Sequence, residues 1–158
     1  MKNKPVILVV DDQFQNNELL EAYLVPQGYE IIKAASGEEA LAKAASGPDL
    51  ILLDVMMPKM NGFEVLKKLR ADEKTRLIPV VMVTSLKETE DRVTALEAGC
   101  DDFISKPFDK LELLARVKSM LKISYYRRQL DEKDKFKEVV KHCTLLRLRA
   151  TTKKHSFV

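Results

Sequence analysis

Side chains that could bind a metal ion and transfer a group come directly after four short, mainly apolar runs. These side chains are Asp11, Asp12, Asp54, Thr84 and Lys106. Three carboxylates in one crevice would repel each other unless a cation lay between them. Oxygen ligands without His or Cys favour a hard divalent ion, and Mg²⁺ fits that description best. The set predicts a metal-dependent site, provided that the fold brings the four runs together.

The same residue types supply what phosphoryl transfer requires. A carboxylate can attack phosphorus, Lys106 offers a positive charge, and Thr84 offers a hydroxyl donor. Asp54 is the candidate nucleophile because it follows the apolar run Ile51-Leu52-Leu53, where an acidic group needs a partner. Each residue alone has an ordinary explanation, since an Asp after a strand often caps the next helix. The phosphoryl-transfer hypothesis therefore depends on their occurring together.

The elements that must position these residues alternate along the chain. Strands are predicted at Val6–Val10, Tyr29–Ala34, Asp49–Leu53, Ile78–Val83 and Asp102–Ser105. Helices are predicted at Phe14–Val25, from the N-cap Ser36 to Ala45, at Gly62–Arg70, at Glu88–Ala98, and from the cap Asp109 onwards. In the first helix we expect a buried stripe of Leu19, Leu20, Tyr23 and Leu24, and in the last a stripe of Leu111, Leu114, Val117 and Leu121.

Strands that alternate with helices predict an α/β fold. The expected architecture is a flavodoxin-like, doubly wound, five-stranded parallel sheet in the order 2-1-3-4-5, with five helices covering both faces. In that order the first and third strands are neighbours. Because the carboxyl ends of parallel strands share one edge of the sheet, Asp11, Asp12 and Asp54 should converge there.

Charge divides the chain into two parts. Residues 122–158 carry eleven Lys or Arg and four Asp or Glu, a net of +7, which leaves −4 for the rest of a chain whose total is +3. We predict a domain over 1–122, a helical extension or signalling linker over 123–142, and a basic, irregular tail over 143–158. No targeting segment or membrane span is recognisable, so we expect a cytoplasmic protein.

Four segments resemble the receiver domains of bacterial two-component response regulators: VILVVDD, DLILLDVMMPKMNG, VVMVTS and DDFISKPF. The resemblance covers about residues 4–122. It implies that Asp54 accepts a phosphoryl group from a sensor histidine kinase or phosphotransfer protein. It also implies that Asp11, Asp12, Asp54 and the Met56 backbone carbonyl hold Mg²⁺, while Thr84 and Lys106 contact the phosphoryl group.

The resemblance also implies a switch. Phe103 matches an aromatic residue that moves inward when Thr84 is drawn to the phosphoryl group, and the Lys106-Pro107 peptide bond is expected to be cis. The switched surface would consist of the fourth helix, the fifth strand and the fifth helix. On it, Arg92 with Glu112, and Asp102 with Arg116, match pairs that join two copies of a receiver. The resemblance therefore implies a homodimer on phosphorylation.

Two apolar positions bear on the lifetime of the phosphoryl group. Met56 and Leu86 lie two residues after Asp54 and Thr84, where some members of the resembling family carry groups that orient water. Because neither side chain can position an attacking water molecule, we expect slow loss of phosphate.

Two other functions compete with the signalling switch, and the switch itself could belong to a longer protein. A Mg²⁺-dependent phosphatase would need a second acid two residues after its nucleophile, and Met56 stands there instead, so a turnover enzyme is not expected. The basic tail could contact nucleic acid, but it lacks an aromatic platform or a second folded module. The chain could also be the receiver of a larger regulator with a cyclic-di-nucleotide or sensory output.

Overall fold

The computed structural model describes the backbone of residues 4–85 and 89–155, and the side chains of residues 4–85 and 92–150. Glu88, the expected start of the fourth helix, lies outside these ranges. So do Leu86, which was expected to affect the lifetime of the phosphoryl group, and residues 156–158. The strands are β1 Val6–Val10, β2 Glu30–Ala34, β3 Leu50–Leu53, β4 Val80–Thr84 and β5 Asp102–Ser105. All five predicted strands are therefore present, although β4 begins and ends later than expected and includes Thr84.

The strands form one parallel sheet in the order β2-β1-β3-β4-β5, which confirms the predicted fold. Every residue of β3 and β4 is buried. Helices cover both faces of such a sheet, so a central strand has no solvent side to fill with polar residues. The continuous apolar runs of the sequence follow from this burial.

The helices are α1 Phe14–Leu24, α2 Gly37–Ala44, α3 Gly62–Ala71, α4 Thr89–Glu97 and α5 Lys110–His155, with a 3-10 turn at Val25–Gln27 after α1. Side chains cap two of them as the sequence predicts. The Ser36 hydroxyl accepts a hydrogen bond from the Glu39 N–H at 3.1 Å, and the Asp109 carboxylate accepts one from the Glu112 N–H at 3.2 Å. The Lys106-Pro107 bond is cis, as expected.

Two apolar clusters fill the space between the sheet and the helices. One joins the sheet to α2, α3 and α4, and the other joins it to α1 and α5. The predicted stripe of α5 is wrong at its first position, because Leu111 is 76% exposed while Leu113, Val117 and Met120 are buried. Leu19 of α1 is also exposed. In both helices, a run of adjacent apolar residues made the sequence pattern ambiguous by one or two positions.

The chain divides into two compact units, Met1–Tyr125 and Tyr126–Val158. The boundary predicted after residue 122 stays a prediction. Irregular backbone after residue 142 was expected, and this is wrong for residues 143–155, which are helical. That segment contains neither Gly nor Pro, so nothing in it terminates a helix. Among the described residues, no helix is both long and apolar enough to cross a membrane.

Candidate functional site

Three carboxylates meet at the carboxyl edge of the sheet. Asp11 and Asp12 follow β1, and Asp54 follows the neighbouring strand β3. One carboxylate oxygen from each residue lies within 4.8 Å of the others. Asp11 is 3% exposed and Asp54 is 6% exposed, so two of the three acids have little contact with water. The described part of the chain thus contains the cluster of three carboxylates that the sequence predicts.

Lys106 enters this cluster from the end of β5. Its Nζ lies 2.7 Å from Oδ2 of Asp11 and 3.6 Å from Oδ1 of Asp54. The Lys106 N–H also donates to the Thr84 carbonyl at 2.8 Å, which ties the β5–α5 loop to the end of β4. The ammonium therefore partly neutralises two buried carboxylates, and its direct ion pair is with Asp11.

Burial raises the pKa of Asp54 from 3.8 to about 6. The nearby charge of Lys106 opposes this shift, the charge of Asp11 adds to it, and a hydrogen bond from the Met56 N–H opposes it. Loss of hydration dominates because the charged form of a carboxyl is poorly stabilised away from water. A divalent cation would favour the ionised form, since it brings positive charge to the three carboxylates.

The other predicted site residues lie around this cluster. Thr84 is fully buried and pairs in register with Ser105 of β5. Phe103 is half-buried and packs against the cluster that includes α4. Met56 is 62% exposed, whereas Asp54, two residues before it, is 6% exposed.

Sequence reasoning missed the hydrogen-bond donors at the start of α1 that hold Asp11. Its carboxylate accepts hydrogen bonds from the Gln13 N–H at 2.9 Å and from the Asn16 amide at 3.0 Å. The buried Asn17 amide donates to the Asp11 carbonyl at 3.0 Å and to the Ala34 carbonyl at 3.1 Å. The available signal was that Asn17 falls on the same helical stripe as the buried Leu20 and Leu24. A polar residue in that position indicates a specific partner.

Gly62 positions the backbone of the loop that follows Asp54. Its N–H donates to the Val55 carbonyl at 2.9 Å. A Cβ at this position would overlap the Asp54 carbonyl oxygen and would lie 2.8 Å from the Val55 Cα. Both obstacles are backbone atoms, which cannot move without shifting the end of β3.

We expect Gly62→Ala to lower the free energy of unfolding by about 2 kcal/mol, because the overlap forces the backbone apart. Urea denaturation followed by circular dichroism measures this. Gly28→Ala is the matched control, since a Cβ there meets nothing within 4 Å, although its φ of +92° carries its own smaller strain. Equal losses in the two variants would contradict the proposed close packing.

The residues assigned to a dimer surface make bonds within the chain. Arg116 Nη1 lies 2.7 Å from both carboxylate oxygens of Asp102, and its Nε lies 3.1 Å from Glu112 Oε1. Arg92 Nη2 lies 2.9 Å from the Ser105 hydroxyl. The predicted pairing of these residues between two copies stays a prediction.

Comparison with known proteins agrees with this geometry. The family model for the response regulator receiver domain matches residues 7–118. The chain is 53% identical over 115 residues to the response regulator PleD of Caulobacter vibrioides, covering 72% of this chain and 25% of PleD. It is 48% identical over 119 residues to the alkaline phosphatase synthesis transcriptional regulatory protein PhoP of Bacillus subtilis, covering 75% of this chain and 49% of PhoP.

A solved structure with a similar fold is that of the chemotaxis protein CheY4 of Vibrio cholerae. The TM-score is 0.71 at 33% identity, over 74% of this chain and 98% of CheY4. The parallel sheet and the acidic cluster at its carboxyl edge define a receiver-type signalling domain. The chain belongs to the response regulator receiver domain family. It spans a quarter to about half of the length of the curated relatives described above.

Proposed function

We propose that Asp54 accepts a phosphoryl group from the phosphohistidine of a sensor histidine kinase or phosphotransfer protein. A carboxylate oxygen of Asp54 attacks phosphorus, and the phosphorus–nitrogen bond breaks with its electron pair passing to the imidazole. The product is an acyl phosphate on Asp54. The observation that carries this proposal is a nearly buried carboxylate with two further carboxylates within 4.8 Å and the Lys106 ammonium beside it.

The donor set of this cluster fits Mg²⁺. Asp11, Asp12 and Asp54, whose carboxylate oxygens lie together, would hold the ion. The Met56 carbonyl would be a fourth ligand, and all four groups bind through oxygen, as Mg²⁺ prefers. When bound, Mg²⁺ would reduce the repulsion between the carboxylates and the incoming phosphoryl oxygens. Lys106 would form an ion pair with the phosphoryl group, and the Thr84 hydroxyl would donate to it.

We propose that the chain acts as a switch rather than as a turnover enzyme. Thr84 is buried at the end of β4, beside the strand that carries Phe103. If the Thr84 hydroxyl moved towards a phosphoryl oxygen, it would leave space on the side of Thr84 that faces β5. Phe103 would then move into that space. The change would alter the surface of α4, β5 and α5 that a partner recognises.

Incubation with Mg²⁺ and acetyl phosphate tests this function. We expect the intact mass to rise by one phosphoryl group, and we expect no such rise for Asp54→Ala or in the presence of EDTA. Because Met56 offers no group to orient water, the phosphoryl group should decay over minutes rather than seconds. Continuous release of phosphate in proportion to the acetyl phosphate supplied would instead identify a hydrolase.

We expect phosphorylation to promote a symmetric dimer through Arg92, Asp102, Glu112 and Arg116. Sedimentation velocity with Mg²⁺ and beryllofluoride, a phosphoryl mimic, should show a shift from monomer to dimer. Glu112→Lys should block the shift, because it would place a positive charge opposite Arg92 of the second copy. An unchanged monomer in the wild-type protein would overturn this expectation.

A further inference from the structure

Arg92 contacts β5, the strand that carries Phe103, at two points. Its guanidinium carbon lies 5.4 Å from the centroid of the Phe103 ring, within the range of a cation–π interaction. Its Nη2 lies 2.9 Å from the Ser105 hydroxyl. Arg92 belongs to α4, whereas Phe103 and Ser105 belong to β5. The same side chain therefore joins the helix and the strand of the proposed output surface.

The position of these contacts in the sheet relates them to Thr84. Phe103 and Ser105 are two residues apart on β5, so they face the same side of the sheet. Ser105 is the register partner of Thr84, and Phe103 is the register partner of Met82. Arg92 is thus bound to the aromatic residue of the switch and to the residue opposite the hydroxyl that would respond to phosphorylation.

We propose that Arg92 is a positioning residue that holds Phe103 in its present half-buried place and opposes the switch. This inference rests on the proposed function, in which phosphorylation moves Phe103 inward. The ring cannot move away from the guanidinium without losing the cation–π contact. A displacement of α4 relative to β5 would also break the hydrogen bond to Ser105.

The consequence is a thermodynamic coupling between Arg92 and the phosphoryl site. A ligand that favours the inward position of Phe103 binds more weakly when Arg92 stabilises the outward position, because part of its binding free energy is used to break the Arg92 contacts. Removing that stabilisation should make the ligand bind more tightly. For one exposed cation–π contact and one hydrogen bond, the expected gain in affinity is about fivefold.

Isothermal titration calorimetry with beryllofluoride, in the presence of Mg²⁺, tests the coupling. The comparison is made in a Glu112→Lys background, in which the proposed dimer does not form. There we expect Arg92→Gln to bind about fivefold more tightly than the protein that keeps Arg92, and Ser105→Ala about twofold more tightly, because each removes part of the restraint. When Phe103→Leu is added, Arg92→Gln should change the affinity less than when Phe103 is present, since the ring that it would release is absent.

Arg116→Gln is the matched control. It also removes an arginine that binds β5, through Asp102, but among the described residues its hydrogen bonds are with Asp102 and Glu112 rather than with the strand position of Phe103. A general loss of stability should affect both arginine variants, whereas tighter binding should occur with Arg92→Gln alone. As a second readout, the NMR signal of the Phe103 ring in free Arg92→Gln should shift towards its position in the beryllofluoride complex.

Unchanged or weaker binding by Arg92→Gln would overturn the role of Arg92 and leave the proposed function intact. Equal tightening by Arg116→Gln would also overturn it. If the wild-type protein neither binds beryllofluoride nor gains a phosphoryl group from acetyl phosphate, the proposed function itself fails, and the role of Arg92 fails with it.

Discussion

Asp54→Asn is expected to stabilise the protein at neutral pH in the absence of divalent ions. The pKa of Asp54 is about 6 in the folded protein and 3.8 as the ordinary value. The folded state therefore binds the Asp54 proton more tightly than the unfolded state does. The stability that this carboxyl contributes is present at low pH and is lost as the pH rises from about 4 through about 6.

The size of the effect follows from the same shift. A rise of about two pKa units corresponds to about 3 kcal/mol of cost to the folded state once the carboxyl is ionised. Asn has nearly the same shape and no charge, so it should recover most of this amount. The free energy of unfolding in EDTA should then be about 2–3 kcal/mol higher for Asp54→Asn than for the wild-type protein at pH 7.

Urea denaturation between pH 4 and pH 8 measures this difference. The two proteins should have similar stability near pH 4 and diverge as the pH rises. Adding Mg²⁺ at about a hundred times its dissociation constant should stabilise the wild-type protein by about 2.7 kcal/mol. The variant, in which one of the proposed ligands has lost its negative charge, should gain less. A constant difference at all pH values would mean that ionisation of Asp54 is not the cause.

The sheet and the acidic cluster could be predicted because both depend on local patterns. Val6–Val10 is a continuous apolar run, and such runs identify strands that are covered on both faces. Once the strands are parallel and ordered, their carboxyl ends fall on one edge. The convergence of Asp11, Asp12 and Asp54 therefore required no knowledge of side-chain packing.

Details that depend on packing could not be read from the sequence. Leu111 and Leu113 are both apolar residues of the same helix, and the geometry of its contact with the sheet decides which is buried. Lys106 could have paired with any of the three carboxylates, and its length and the path of the β5–α5 loop place it nearest Asp11. The contact of Arg92 with Phe103 joins two separate elements, so no local pattern indicates it.

In the second unit, the sequence pattern failed to predict a helix that the structure contains. Leu145, Leu146 and Leu148 give residues 143–155 no single apolar face, and this made an irregular segment the expected result. Helix formation depends on intrinsic propensity as well as on amphipathic pattern, and Leu, Arg, Lys and Ala all favour it. Leu145, Leu146 and Leu148 are exposed, so the helix in this segment forms without burying one apolar face.

Lys106→Met is expected to destabilise the protein strongly when no divalent ion is present. The Lys106 Nζ lies 2.7 Å from Asp11, whose side chain is 3% exposed. Met has a similar length and keeps the apolar contacts of the lysine stem, so the change removes mainly the charge. Removal of one partner from a buried ion pair leaves the other charge uncompensated, and this typically costs about 3–5 kcal/mol.

We expect a loss of about 3 kcal/mol at pH 7 in EDTA, at the low end of that range because Asp11 keeps its hydrogen bonds from Gln13 and Asn16. Mg²⁺ should restore much of the stability, since it would bring positive charge to the same carboxylates. Urea denaturation with EDTA and with Mg²⁺ measures both effects. Lys43→Met is the control, because Lys43 pairs with the more exposed Glu39 and should lose less than about 1 kcal/mol.

A double-mutant cycle identifies the carboxylate on which Lys106 acts. If the ion pair with Asp11 dominates, Lys106→Met should cost much less in an Asp11→Asn background than in the wild-type background. In an Asp54→Asn background the cost of Lys106→Met should fall by a smaller amount, because Lys106 Nζ lies 3.6 Å from Asp54 Oδ1. Equal coupling to both acids would mean that the ammonium is shared between them. A Lys106→Met variant as stable as the wild-type protein in EDTA would contradict the role of Lys106 as the internal cation of the site.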